Sequence, residues 1–226
     1  MHKTRSLPKP QRAPSTARVK KTPVLSSERM LLNNISWQQY EQMVDLFAEN
    51  RLFMTYDDGQ LELRMPLREH ERASELLSAI INFFSYFLGI RIEPLGSTTF
   101  RSAQVEKGLE PDKCFYIKNI DLMLSKKRLD LSVDPPPDLA IEIEITTSLI
   151  PRIPIYLQLG IPELWRYDGR SLSIELLQNG QYAPAKQSLA FPTLNSKLLL
   201  KWIKRGESKG CSSMLIAVEA WCRKQR

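Results

Sequence analysis

Pro137-Asp138-Leu139-Ala140-Ile141-Glu142-Ile143-Glu144-Ile145 is an alternating run that follows two further prolines, Pro135 and Pro136. Alternate residues of a strand share a face. Leu139, Ile141, Ile143 and Ile145 therefore point one way, and Ala140, Glu142 and Glu144 the other. The aliphatic face belongs against a core. On the opposite face the two carboxylates sit roughly 6–7 Å apart along the strand. Two readings of that acidic face are open. It is the solvated side of an antiparallel strand, or it is a groove wall. Carboxylates withdrawn from water repel one another and are costly unless cations or donors neutralise them. Magnesium takes one or two protein carboxylates and leaves its other positions to water and phosphate. A third acid, Asp112, follows Pro111 and opens another strand, Lys113–Ile117.

Working outward, Ser36-Trp37-Gln38-Gln39 is a capping box, and the apolar residues after it keep helical spacing to about Asn50. Phe53–Tyr56 and Gln60–Met65 read as a hairpin around Asp57-Asp58-Gly59. The longest helix runs from about Glu69 to Leu88 and stops at Gly89, with Ala73, Leu76, Leu77, Ile80, Ile81 and Phe84 on its core stripe. Strands follow near Ile90–Pro94 and Thr98–Arg101, and residues 118–134 read as an irregular charged loop. Pro154 is placed to start a short helix ending at Gly160. Leu164–Tyr167, Leu172–Leu177 and Tyr182 are strand segments, and residues 194–205 and 212–225 read as C-terminal helices. The fold class is α/β (α+β), a mixed central sheet flanked by helices.

The chain has 226 residues, enough for one substantial domain. No apolar run approaches a membrane span, and no signal peptide is visible. A cytoplasmic protein is expected. Three cysteines without a C-x-x-C pair argue against a disulfide framework and a zinc site, and only His2 and His70 are present, which excludes a multi-histidine metal site. The net charge of +7 is uneven. Residues 1–30 carry eight basic residues and one acid, which accounts for all of it; the rest balances at 24 of each sign. Residues 1–29, rich in Pro, Ser and basic residues, are expected to be a disordered tail outside a domain spanning 30–226. Such a tail either holds phosphates by counterion release or has no partner.

Several ordered blocks carry a resemblance. One is Leu95-Gly96-Ser97-Thr98-Thr99-Phe100-Arg101 with Glu106-Lys107-Gly108-Leu109-Glu110-Pro111-Asp112. Another is Pro137–Ile143 with Ile155-Tyr156 and Gly160-Ile161-Pro162-Glu163-Leu164-Trp165-Arg166-Tyr167-Asp168. A third is Met65-Pro66 with Arg68-Glu69-His70-Glu71. Together they resemble the bacterial family of putative restriction endonucleases, which has the fold of the PD-(D/E)XK nucleases. The resemblance covers about Met30 to the C-terminus. It implies a restriction-endonuclease-like core and a metal-dependent endodeoxyribonuclease, with magnesium or manganese held by Asp112 and Glu142, Glu144 as a helper, and DNA as substrate. It further implies that a lysine stands either at the position of Glu144 or four residues before Tyr156. That second position is Arg152. Lysine can lower its pKa and handle a proton; arginine stays charged. Arginine can still hold phosphate bidentately. The alternative is therefore a catalytically silent member of the fold that binds nucleic acid or a protein partner.

His70, in the first turn of the long helix, is a candidate metal ligand or base, or a plain helix-terminal polar residue. Glu71 and Glu75 are either extra ligands or acids favoured at a helix start. Asp138 is either a metal neighbour or a turn residue. Lys126, Lys127, Arg128 and Arg152 are candidates for a basic groove. A two-fold homodimer is expected, with the helix bearing Met214, Ile216, Val218 and Trp221 as one interface unless that helix packs on its own sheet.

Overall fold

The computed structural model describes residues 29–225 except 49, 51, 66, 127 and 128. The tail up to residue 28, Pro66 of the third block and two of the loop cations, Lys127 and Arg128, lie outside the described residues. In chain order the elements are β1 (Arg29–Asn33), α1 (Trp37–Leu46), β2 (Phe53–Asp57), β3 (Gln60–Arg64), α2 (Arg68–Leu88), β4 (Glu93–Gly96), β5 (Phe100–Ser102), β6 (Lys107–Leu109), β7 (Lys113–Tyr116), α3 (Ile120–Met123), β8 (Leu139–Ile143), α4 (Arg152–Gln158), β9 (Glu163–Tyr167), β10 (Leu172–Gln178), β11 (Gln181–Pro184), α5 (Ser196–Lys209) and α6 (Cys211–Cys222).

These strands form two sheets where the sequence suggested one. The larger has the order β11-β10-β9-β8-β7-β4, and the smaller β1-β3-β2-β6-β5. The larger sheet is mixed: β8 and β9 are parallel, joined through α4, while β7–β8, β9–β10, β10–β11 and β4–β7 are antiparallel. The smaller sheet escaped the sequence because β6 is three residues around Gly108, too short for a period to show. That glycine is required by its neighbour, since a Cβ there would lie 2.2 Å from the Tyr40 hydroxyl.

The local signals acted as expected elsewhere. Ser36 and Gln39 form the reciprocal capping box of α1, and Gly89 ends α2 in the left-handed region at φ 69°. Helix α4 begins at Arg152, two residues before Pro154. The proline sits within the first turn, where its missing N–H costs nothing. Among the described residues, no helix is long and apolar enough to cross a membrane.

One face of the larger sheet carries the main core. Leu139, Ile141 and Ile143 of β8 and Trp165 and Tyr167 of β9 pack under Leu77, Ile80, Ile81 and Phe84 of α2, with Trp202 of α5 and Met214 and Val218 of α6. Each fully buried aliphatic or aromatic side chain contributes about 1.5–3 kcal/mol. The opposite face, which carries Ala140, is covered by Ile155 and Tyr156 of α4 and by Phe100 and Leu109 of the smaller sheet. All five residues of β8 are buried. The acidic face is therefore not a solvated one.

Met214 and Val218, two of the residues expected at a dimer interface, are buried within the chain, and Trp221 packs beside them. Ile216 alone of the four is exposed. Trp165 and Tyr167 are fully buried core residues.

Candidate functional site

Asp112 precedes β7 and meets the end of β8. Its backbone N–H donates to the Ile141 carbonyl at 3.1 Å, and its Oδ2 accepts the Ile143 N–H at 2.6 Å. The carboxylate thereby takes a strand donor that the ladder leaves over, which fixes it beside Glu142. Both acids are about 3% exposed. Two like charges so placed cannot stay ionised without compensation.

The compensation is two guanidiniums. Arg64, the last residue of β3, donates from Nη2 to Asp112 Oδ1 at 3.1 Å. Its partner Arg152 opens α4, one helical turn before Tyr156, so both side chains reach the same carboxylate. Arg152 Nη2 donates to Glu142 Oε2 at 3.0 Å, its Nε lies 2.7 Å from Glu142 Oε1, and the Tyr156 hydroxyl donates to Glu142 Oε2 at 2.5 Å. Each guanidinium is also anchored behind. Arg64 lies 4.8 Å from the Phe53 ring centroid. Arg152 donates to Thr55 Oγ1 at 2.7 Å and to the Glu110 carbonyl at 2.6 Å.

His70 joins this cluster, 2% exposed. Its Nε2 lies 2.6 Å from Arg64 Nη1 and 3.3 Å from Asp112 Oδ2, so it accepts from the guanidinium in one tautomer and donates to the carboxylate in the other. Burial, then the Arg64 charge, push the imidazole down to about 4, so it is neutral. Burial pushes Glu142 above the usual carboxylate range, with Arg152 opposing and Asp112 adding to the rise. Burial alone would depress Arg152, but Glu142 more than reverses it and holds the guanidinium above its ordinary value. Glu110, whose carbonyl anchors Arg152, is pushed up to about 7 by burial, against the Thr99 hydrogen bond.

Asp112, Glu142, Arg152 and His70 are thus brought together. Glu144 has other partners: Arg166 clamps both of its oxygens, at 2.8 and 2.9 Å, and reaches Glu175 as well. Glu75 pairs with Lys113, and Glu71 lines a separate cavity of about 410 Å³. Asp138 accepts the Ile117 and Lys118 N–H groups at the far end of β8, a structural role. Lys126 pairs with Asp134.

A groove of about 430 Å³ opens over Glu142 and the loop leading to α4. Arg29, Arg64, Arg152 and Arg166 line it, with Glu142 and Glu144. Its outer wall is held by Glu62, fully buried in β3, which accepts from Ser148 Oγ at 2.5 Å, the Leu149 and Ile150 N–H groups at 3.0 and 3.1 Å, and Arg29. The sequence missed Arg64 and Glu62. Both sit on the polar parity of a hairpin strand, where a solvated face and a covered one look the same.

The donor set does not fit a divalent ion as arranged. Three of the four oxygens of Asp112 and Glu142 accept an N–H or O–H, and the fourth, Glu142 Oε1, lies 2.7 Å from the Arg152 guanidinium. Two guanidiniums already balance two carboxylates. Among the described residues no group of three or more His, Cys, Asp or Glu side chains is placed to hold a metal. A hard cation would have to displace Arg152 from Glu142 first.

The sequence pattern of a family described as putative restriction endonuclease (Uma2) matches residues 37–205, well over half of the chain. No curated protein matches it. A solved structure from Anabaena variabilis ATCC 29413, described as a putative nuclease belonging to DUF820, is similar over 66% of this chain and 90% of its own, at 19% identity and a TM-score of 0.47. By the extent of the family match, this chain belongs to the putative restriction endonuclease family.

Proposed function

We propose that the protein binds the phosphodiester backbone of DNA in the groove over Glu142. The observation that carries this is the convergence of four arginines, from β1, β3, α4 and β9, on one groove. Guanidinium groups recognise phosphate oxygens bidentately. Arg166 is about a third exposed, so its pairing with Glu144 leaves it open to an incoming phosphate. Because residues 31–226 balance in charge, the attraction is local, and the basic tail supplements it.

A second reading concerns the step after binding. Metal-dependent hydrolysis, with magnesium or manganese at Asp112 and Glu142 and Glu144 assisting, is the activity expected from the sequence. The ion-paired state of both carboxylates favours binding without cutting. A homodimer would let two such grooves address two strands.

The test is duplex and single-stranded DNA titrated by fluorescence anisotropy. Arg166→Glu is expected to weaken binding by about tenfold or more, since a charge reversal at a phosphate contact adds repulsion to the lost attraction. Unchanged affinity would remove the groove from consideration. Plasmid cleavage in magnesium or manganese that disappears in Glu142→Ala would establish hydrolysis.

A further inference from the structure

We infer that the Asp112–Glu142 cluster is built to receive an anion and not a divalent cation, with Arg64 and Arg152 already paired with its two carboxylates. The inference rests on reading this groove as the functional site and specifies what that site accepts.

The unsatisfied groups at the cluster point to the sign of the ligand. Arg64 Nε, His70 Nδ1 and Arg152 Nε are buried without a hydrogen-bond partner. Arg152 Nε is near Glu142 Oε1, but its N–H is not aligned on it. The two guanidinium Nε groups are donors whatever the tautomer of His70. A vacant cation site leaves spare lone pairs; this cluster leaves spare N–H groups. The oxygens of Asp112 and Glu142 accept hydrogen bonds or lie against Arg152, and His70 Nε2 is already engaged between Arg64 and Asp112.

The guanidiniums are also held in place by groups other than the acids. Phe53 supports Arg64, and Thr55 with the Glu110 carbonyl supports Arg152. Their positions therefore belong to the scaffold. Arg64 and Arg152 both line the groove, and each is more than nine-tenths buried. A tetrahedral oxyanion such as a phosphate offers the acceptors that the two guanidinium N–H groups lack.

Two titrations of the full-length protein test this. Manganese alone, followed by paramagnetic relaxation, is expected to show no uptake that depends on Glu142. Uptake that persists unchanged in Glu142→Gln belongs to surface acids and agrees with the inference. Uptake abolished by Glu142→Gln overturns it. Inorganic phosphate alone, in chelator, is expected to raise the melting temperature of the parent and of Arg152→Lys, which keeps the charge. It should not raise that of Arg64→Gln/Arg152→Gln. The same double variant should take up manganese at least about tenfold more tightly than the parent, because two carboxylates lose their neighbouring positive charges. If the double variant does not fold, the parent and Glu142→Gln titrations decide the matter alone. No phosphate effect on the parent also overturns the inference. Anisotropy with DNA in chelator separates the two levels: lost groove binding contradicts the proposed function, whereas a Glu142-dependent manganese site contradicts only the sign of the ligand.

Discussion

Replacing Arg152 by methionine removes the cation from a buried carboxylate while nearly keeping its volume. Glu142 would keep the Tyr156 hydroxyl but lose both contacts to the guanidinium, and Thr55 Oγ1 and the Glu110 carbonyl would lose a donor each. Removing one partner of a buried ion pair costs about 3–5 kcal/mol, because the other charge is left uncompensated. The extra lost hydrogen bonds, at about 1 kcal/mol each, place Arg152→Met in the upper half of that range. Removing both charges, as Arg152→Met/Glu142→Leu, abolishes the uncompensated carboxylate. It should be less destabilising than the single change by about 2 kcal/mol, with the Tyr156 hydroxyl as the main group left unsatisfied. Urea denaturation followed by circular dichroism measures both, provided the m-value is unchanged. A single-variant cost below about 1 kcal/mol, or a double-variant cost equal to the sum of the two singles, would refute the pairing of Arg152 with Glu142.

Other outcomes follow from the same network. His70 in the fold is pushed down to about 4 from an ordinary 6.5, so the unfolded chain takes up its proton first. Stability should therefore fall as pH drops through that window, by up to about 3 kcal/mol. Glu110, raised to about 7 from 4.5, contributes in the opposite direction, its share being lost as pH rises through 4.5 to 7. The difference between parent and His70→Gln unfolding curves isolates the histidine, and a difference that does not change with pH would contradict its buried neutral state. Deleting residues 1–28 should flatten the salt dependence of duplex binding; four to six tail contacts correspond to a slope of about −4 to −5, and an unchanged slope would make the tail idle. Ile216→Glu, at the exposed face of α6, should leave the sedimentation coefficient unchanged, because Met214 and Val218 of that helix face inward; a shift to a smaller species would show α6 to be an interface.

Much of this architecture was legible because period and punctuation agreed. The apolar stripe of α2, its stop at Gly89, the capping box at Ser36 and the alternation of β8 each have one structural solution. The pairing of Asp112 with Glu142 was readable only through the ordered family blocks, since strand parity alone does not say which strands are neighbours. Arg152 was flagged by its spacing to Tyr156. What the sequence did not convey is cover. β3 has the same alternation as a half-exposed hairpin strand, yet Glu62 and Arg64 are buried because the loop before α4 and the acid pair close over them. Glu144 shares parity with Glu142 but extends beyond the end of β8, where Arg166 of the parallel neighbour claims it. Charged residues at a covered site and at a solvated one leave the same one-dimensional pattern; only the partner tells them apart.

Photo-crosslinking locates bound DNA most directly. Duplex carrying 4-thiothymidine, irradiated with the full-length protein in chelator and mapped by mass spectrometry, should link to residues 146–153 and to the neighbourhood of Arg166. Crosslinks confined to α5 and α6, with none in the loop leading to Arg152, would contradict the assignment of this groove as the nucleic-acid site.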